Sequence, residues 1–239
     1  MENKKPAYRR VLIKISGEAL AGGKKTGLDF AVINDACMAV KRCMDLGVQV
    51  SIVIGGGNFW RGVKDGAGKV ERVNADRMGM LATAMNCLAV ADVFKQLGVD
   101  ARIQTAIDIA GAGERFDTRT AIGHLDSGRV VLFACGTGCP FFSTDTAAVL
   151  RAAETNADAI LLAKNIDGVY SADPKTDPTA KRFDRISYDE VLAQHLAVMD
   201  STATSLAMDN HIPVIVFALK DTHNIVRAAM GEDIGTVVK

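Results

Sequence analysis

Val11-Leu-Ile-Lys-Ile-Ser16, running straight into Gly17, is the stretch on which the reading of this chain turns. It is apolar at nearly every position and rich in β-branched side chains. Two other segments repeat its form, Ser51-Ile-Val-Ile54 before Gly55-Gly56-Gly57 and Val130-Val-Leu-Phe-Ala134 before Gly136-Thr137-Gly138. A strand with one wet face alternates polar and apolar residues, whereas a parallel strand covered by helices on both faces does not. The three runs therefore predict buried parallel strands of an α/β sheet, with their glycines where such a sheet presents its ligand-binding edge. Glycine lets backbone N–H groups approach phosphate closely, and Lys14 adds a point charge at the end of the first strand. The expected ligand is a polyanion.

Composition sets the frame. With 239 residues and 49% hydrophobic content the chain has ample material for a core, and nothing forces a division, so 1–239 is expected to be a single domain. Lys+Arg 28 against Asp+Glu 28 leaves no global basic field, which disfavours sequence-independent nucleic-acid binding and points to a small ligand held by local groups. The five cysteines, Cys37, Cys43, Cys87, Cys135 and Cys139, show no CxxC spacing and read as reduced, mostly buried thiols rather than a zinc site. Met1-Glu-Asn-Lys-Lys-Pro6 lacks an apolar signal core, and no uninterrupted apolar stretch reaches membrane-spanning length. A soluble, cytoplasmic protein is expected.

Strands and helices alternate along the chain. Strands are expected at 11–16, 48–54, 99–105, 129–134, 158–163, 213–218 and 235–238, and helices from Asp29 to the Leu46-Gly47 stop, from about Asn74 to Leu97, and at 117–127, 145–155, 200–210 and 222–230. This is the pattern of βα crossovers in one doubly wound sheet. Residues 165–185 interrupt it, with Asp167-Gly168 as a hairpin-type turn and Pro174 and Pro178 as breakers, so an excursion beside the sheet is expected. The long helix carries two apolar stripes, Met78, Leu81, Met85, Leu88 and Met80, Ala84, Cys87, Ala91, Phe94. Covering its own sheet needs one stripe; the second calls either for the same helix of another subunit, the favoured reading, or for burial within the monomer.

Two common phosphate motifs do not fit. No segment has the Walker spacing, and in Gly55-Gly-Gly-Asn-Phe-Trp60 the tryptophan stands where a dinucleotide fingerprint needs its third glycine. No HExxH occurs, and His124, His195, His211 and His223 are too dispersed to form a ligand cluster.

What remains resembles the amino acid kinase superfamily, and within it the bacterial uridylate kinases, from end to end. The matching pieces are Lys14-Ile15-Ser16-Gly17-Glu-Ala-Leu20, Gly55-Gly56-Gly57-Asn-Phe-Trp-Arg61-Gly62, Ala75-Asp76-Arg-Met-Gly-Met-Leu-Ala-Thr83, Thr137-Gly138-Cys139-Pro140-Phe141-Phe142-Ser143-Thr144-Asp145 and Asp167-Gly-Val-Tyr170-Ser-Ala-Asp173-Pro174. The resemblance implies an αβα sandwich around a mainly parallel sheet, ATP and UMP as substrates, Mg²⁺ delivered with ATP, and a homohexamer built from dimers. It places UMP-binding features mainly in 50–145, and ATP-binding features at 14–17 and mainly in 160–220.

Residue by residue, Lys14 reads either as an outward strand-end lysine or as the cation that neutralises a transferring phosphoryl group, and the adjoining Ser16-Gly17 turn favours the second. Arg61 reads as a solvated loop arginine or as a planar phosphate clamp; the resemblance places it and Gly57 beside ATP, with Lys14, Ile15, Ser16 and Gly17. Asp76 is expected in the first turn of the long helix, where the dipole alone would favour it, and the resemblance makes it accept from the UMP ribose. Gly56 and the loop Thr137, Gly138, Cys139, Pro140, Phe141, Phe142, Ser143, Thr144 are implied to hold UMP, although the two phenylalanines also read as core plugs. Asp145 reads as a helix cap, and the resemblance adds orientation of the catalytic lysine. Asn165, Tyr170 and Asp173 are implied contacts of the adenosine. Lys164 departs from the family by replacing a small hydroxyl residue, Cys139 by replacing asparagine, and Ser143 by replacing threonine. Gly22, Gly23, Lys24, Lys25, Thr26 and Gly27 match a segment associated with GTP activation, with Thr26 where an aromatic is common; UTP is the corresponding inhibitor.

UMP's phosphate is already mainly a dianion at neutral pH, so no general base is required; the difficulty is repulsion between two polyanions, which Lys14, Arg61, Mg²⁺ and backbone N–H groups would offset. Two other functions fit the fold. A noncatalytic nucleotide-binding regulator would not need Lys14 and Asp145, and a small-carboxylate kinase would not need Asp76 and the Thr137–Thr144 loop.

Overall fold

A computed structural model of the chain describes residues 5–61, 65–174, 176–196 and 198–239. Gly62, which closes the second matching piece, and residues 1–4 of the N-terminal segment lie outside the described residues.

The first apolar run forms β1 (Arg10–Ile15), buried at every position. It lies at the middle of a nine-stranded sheet, paired in parallel with β2 (Gln49–Ile54) on one side and β6 (Ala159–Lys164) on the other. Beyond β2 come β5 (Val130–Ala134), β3 (Ala101–Thr105) and the two-residue β4 (Glu114–Arg115). Beyond β6 come β10 (Val214–Ala218), β11 (Thr236–Val238) and β9 (Arg185–Ile186). Every pairing in this sheet is parallel except β10 with β11.

Alternation along β1 sorts its side chains between two cores. Val11, Ile13 and Ile15 join the layer of α2 (Phe30–Asp45), α3 (Arg72–Gln96) and α8 (His223–Ala229). Leu12 faces the opposite layer, built from α4 (Thr118–Asp126), α5 (Thr144–Glu154), α6 (Tyr188–Ala193) and α7 (Ser201–Asp209). With a period of two, Lys14 shares the face of Leu12, and by the same rule Lys164 shares that of Ile160 and Leu162. Both lysines thus emerge on the α5 side of the sheet.

Local signals set most boundaries. Asp29 accepts from the N–H groups of Ala31 and Val32 to start α2, Asp117 accepts from Thr120 N–H to start α4, and Gly47, at φ +88°, ends α2 at the predicted stop. Two expected positions need correction. Helix α3 begins at Arg72, so Asp76 sits in its second turn, beyond the strongest part of the dipole. Helix α5 is capped by Ser143, whose hydroxyl accepts from Asp145 and Thr146 N–H, so Asp145 is free of the capping role assigned to it.

The excursion at 165–185 is present as a separate antiparallel pair, β7 (Val169–Tyr170) with β8 (Arg182–Phe183). Asp167-Gly168 is the bend leading from β6 into β7 rather than the turn of that hairpin. The short elements α1 (Gly17–Leu20), β4, α6 and β9 had no expected counterpart, being too short to show a period.

Helix α3 is divided as its two stripes suggest. Met80, Ala84, Cys87 and Phe94 are buried against the sheet, whereas Met78, Leu81, Met85 and Leu88 stay 40–49% exposed, which excludes burial of the second stripe within the monomer. The helix is long and apolar enough to cross a membrane, but half of its most apolar window is buried inside the protein, as in a core helix.

Candidate active site

The chain leaves β1 for β2 on one side and leaves β6, by way of β7, β8 and β9, for β10 on the other, so the connections diverge and open a crevice between β1 and β6 at their carboxyl ends. Ligands of open α/β sheets bind at such a switch point. Lys14 and Lys164 stand at the ends of the two strands that flank it. Lys14, 8% exposed, places Nζ 2.7 Å from Asp145 Oδ1 in the first turn of α5. That contact is an ion pair whose approach is poor for a hydrogen bond, and Asp145 Oδ1 is buried with no well-aligned donor. A buried carboxylate oxygen left in this state suits a cation or a repositioned lysine. Lys164 donates to the carbonyl of Val198, and burial pushes its ammonium below the usual lysine range; Asp145 opposes that shift and the charge of Lys14 adds to it.

On the β2–β5 side a cavity of about 150 Å³ is lined by Gly56, Asp76, Thr137, Cys139, Ser143 and Thr144 among others. Gly56 has a packing reason to lack a side chain, since a Cβ there would lie 2.8 Å from Gly79 O and 2.9 Å from Ala82 Cβ of α3. The loop above it is drawn down by Asp76, whose Oδ2 accepts from Phe141 N–H at 2.8 Å while Arg72 Nε bridges both carboxylate oxygens. Phe141 is held at φ +72°, a strained conformation for a residue with a Cβ, and the Arg72 guanidinium lies 5.1 Å from its ring centre. Phe141 and Phe142 are 64% and 51% exposed, so the core-plug reading fails. The Thr137 hydroxyl is spent locally, accepting from Cys139 N–H and donating to Cys139 O. Gly138, Pro140 and Phe141 belong to the loop but not to the cavity wall.

On the β6–β10 side a larger cavity, about 690 Å³, gathers Lys14, Ser16, Asn165, Tyr170 and Asp173 with Lys164 and His195. The Tyr170 hydroxyl donates to Asp167, and that bond holds the phenol above its usual range. Ile15 is buried in the core and Gly17 opens α1, whose cap is Ser16. Gly57 and Arg61 fall into an adjoining polar cavity of about 460 Å³, lined also by Gly22, Lys24, Lys25 and Thr26 and sharing Glu18 and Asn165 with the first. Arg61 is exposed and ion-paired with Glu18, and its backbone N–H donates to Asp65. Gly23 and Gly27 belong to the loop but not to that wall.

Several organising residues escaped the sequence reading. Glu18 holds Arg61, and Asp200 accepts from the hydroxyls of Ser143 and Thr146 while capping α7, tying the loop at 137–144 to the β6–β10 side. Thr83 Oγ1 accepts from Cys135 N–H at 2.7 Å. A buried polar residue within an apolar helix stretch, such as Thr83 or Asn86, was the available signal. Among the described residues no three His, Cys, Asp or Glu side chains group as a metal site, so the chain offers a carboxylate edge, Asp145, and no cage.

This architecture is that of the amino acid kinase class, and the chain belongs to the amino acid kinase family, whose pattern matches residues 9–218. It is similar to the solved UMP kinase of Bacillus anthracis, with 38% identity, 97% of this chain and 96% of that one covered, and a TM-score of 0.93. It is also similar to UMP kinase from Ureaplasma parvum (36% identity, 97% and 98% covered, TM-score 0.91) and to uridylate kinase from Archaeoglobus fulgidus (27%, 96% and 99%, 0.77).

Proposed function

We propose that this chain is a nucleoside monophosphate kinase that transfers the γ-phosphoryl group of ATP to UMP, acting as one catalytic domain over its length. The observation that carries the reading is the Lys14–Asp145 pair at the β1–β6 crevice, with a cavity on either side of it. The 150 Å³ cavity takes the acceptor: Gly56 and the Thr137–Thr144 loop receive UMP, and Asp76 accepts from its ribose while still holding Phe141 N–H. The larger cavity takes ATP, with Asn165, Tyr170 and Asp173 around the nucleoside and the phosphates reaching Ser16, Gly17, Gly57 and Arg61.

Lys14 meets the phosphoryl group as charge builds on its oxygens, and Asp145 orients the ammonium from the α5 side. Arg61 exchanges Glu18 for phosphate oxygens, a swap between two anions that leaves its charge satisfied throughout. The acceptor phosphate enters as a dianion, so no side chain has to remove a proton. Asp145, the carboxylate already paired with Lys14, would hold Mg²⁺ arriving with ATP, and the ion would there neutralise phosphate charge. The Gly22–Gly27 loop, with Lys24 and Lys25 on the polar cavity, is the place for GTP activation opposed by UTP. The assembly is a cytoplasmic homohexamer of dimers joined through the exposed stripe of α3. Release of ADP from MgATP in the presence of UMP, CMP, N-acetylglutamate or no acceptor tests the activity, and ADP formed equally without UMP would overturn it. Leu81→Asp and Met85→Asp should dissociate the dimer, because an unpaired carboxylate is costly to bury; sedimentation showing an unchanged oligomer for both would remove α3 from the interface.

A further inference from the structure

The Gly17 and Gly55–Gly57 turns meet at a pair of buried amides. Asn58 follows the triplet and Asn86 lies on the inner face of α3; they are 1% and 0% exposed. Each Nδ2 donates to the other's Oδ1 at 2.8 Å. The remaining hydrogen of Asn58 goes to Gly27 O at 2.9 Å, and that of Asn86 goes to Gly55 O at 2.7 Å. Gly27 N–H returns a bond to Asn58 O at 3.0 Å. Every amide hydrogen is used, so rotating either amide would set donor against donor and oxygen against oxygen. On the other side the Gly17 turn presses against the same pair, since a Cβ on Gly17 would lie 2.5 Å from Asn58 Oδ1 and 2.4 Å from Gly55 O.

Asn86 therefore anchors the first carbonyl of the glycine triplet, and Asn58, inserted directly after it, anchors the end of the Gly22–Gly27 loop. Among the described residues the N–H groups of Gly56 and Gly57 donate to nothing in the chain, which leaves them for an anion.

We infer that Asn58 and Asn86 are positioning residues: their reciprocal amide pair sets the Gly55–Gly57 turn and couples it mechanically to the Gly22–Gly27 loop and to α3. Asn86 lines none of the three cavities, and Asn58 only contributes to the wall of the polar one beside Gly57. It gives α3, whose outer stripe is exposed, and the polar loop a shared rigid link to the phosphate-binding turn. A fully satisfied buried polar network specifies one geometry, whereas removing one member leaves its partners unpaired in a dry site. The inference rests on the kinase reading for its kinetic consequence but not for its structural one.

Asn86→Asp keeps the shape and replaces two donors with acceptors, so it should release Gly55 O and, through Asn58, Gly27. In the full-length protein, hydrogen exchange should speed up at residues 22–28 and 55–59, although the Asn86 side chain bonds only to Asn58 and Gly55. In the coupled assay the KM for MgATP should rise about tenfold, and the KM for UMP with it, because the same turn carries Gly57 to one cavity and Gly56 to the other. Asn86→Ser, which retains a small donor, should show both effects more weakly, and it is the variant to use if the aspartate protein does not fold. Faster exchange confined to α3, unchanged KM values in a folded variant, or a general loss of exchange protection would reduce the pair to ordinary packing and overturn the inference. A wild-type protein without UMP-dependent ADP release would break the kinase reading instead, leaving the exchange measurement to judge the amide pair.

Discussion

The two sides of the β1–β6 crevice are built in different ways. On the β2–β5 side, loops are tied down by side chains that bond backbone: Asp76 to Phe141 N–H, Thr83 to Cys135 N–H, Asn86 to Gly55 O. The cavity there is small, and its walls come from the ends of β2 and β5 and from α3. On the β6–β10 side the cavity is more than four times larger and is walled partly by the 165–174 segment and by 194–196; one buried bond, Val169 N–H to the Thr236 hydroxyl, holds that segment, and its other anchors include the exposed side-chain pairs Tyr170–Asp167 and Arg182–Asp167. A latched, tight site suits discrimination among acceptors, because a mismatched base leaves buried groups unpaired. An open site suits a cosubstrate recognised chiefly by its phosphates. Lys14 and Asp145 stand between the two.

Four changes would break or sharpen that contrast. The largest effect is expected from Lys14→Ala, which belongs to neither side: turnover should fall about a thousandfold with UMP affinity nearly unchanged, since the charge matters most in the transition state. Near-normal turnover in a folded variant would remove the lysine from the chemistry. Asp76→Asn should act on the tight side alone, raising the KM for UMP about tenfold to a hundredfold while the KM for MgATP holds, because it weakens the charge-assisted bond to Phe141 N–H and the one proposed to the ribose. Parallel changes in both constants would mean that the two sides are not separate.

A smaller effect is expected from Cys139→Asn. The Cys139 backbone is already fastened at both its N–H and its carbonyl by the Thr137 hydroxyl, so the side chain is not what shapes the loop. The ratio of kcat/KM for UMP over CMP should change by less than about tenfold, which corresponds to about 1.4 kcal/mol. A tenfold shift would show the thiol reading the base. The least effect should come from Lys164→Met on the open side. With its ammonium depressed by burial, Lys164 binds fewer protons when folded than when unfolded, in the window between its lowered value and 10.5. Its contribution to stability therefore rises with pH across that window, and the methionine variant should flatten the rise in the urea midpoint measured over the same range. An unaltered slope would place the charge in water rather than beside Val198.

Much of this molecule was legible without coordinates, for physical reasons that can be named. The doubly buried runs at 11–16, 51–54 and 130–134 admit one reading because a two-sided apolar strand needs helices on both faces, and the glycines after them mark the ligand edge. Caps such as Asp29 and Asp117 are local interactions, so helix starts close to them could be read from neighbours alone. The twin stripes of α3 called for a second surface, and its exposure in the monomer removes the alternative of burial within one chain. Other features depend on residues far apart in the chain. Asp145 looked like a cap until Ser143 took that bond and Lys14, 131 positions earlier, was brought within 2.7 Å. Arg61 gained a partner in Glu18, Ser143 in Asp200, and Asn58 in Asn86, none of which leaves a periodic trace. Pattern along a sequence records which face of an element must leave water, because burial acts on each residue separately. Which polar groups then satisfy one another is decided only when the β1–β6 crevice closes, since a hydrogen bond or ion pair needs two partners, and the fold alone brings them together.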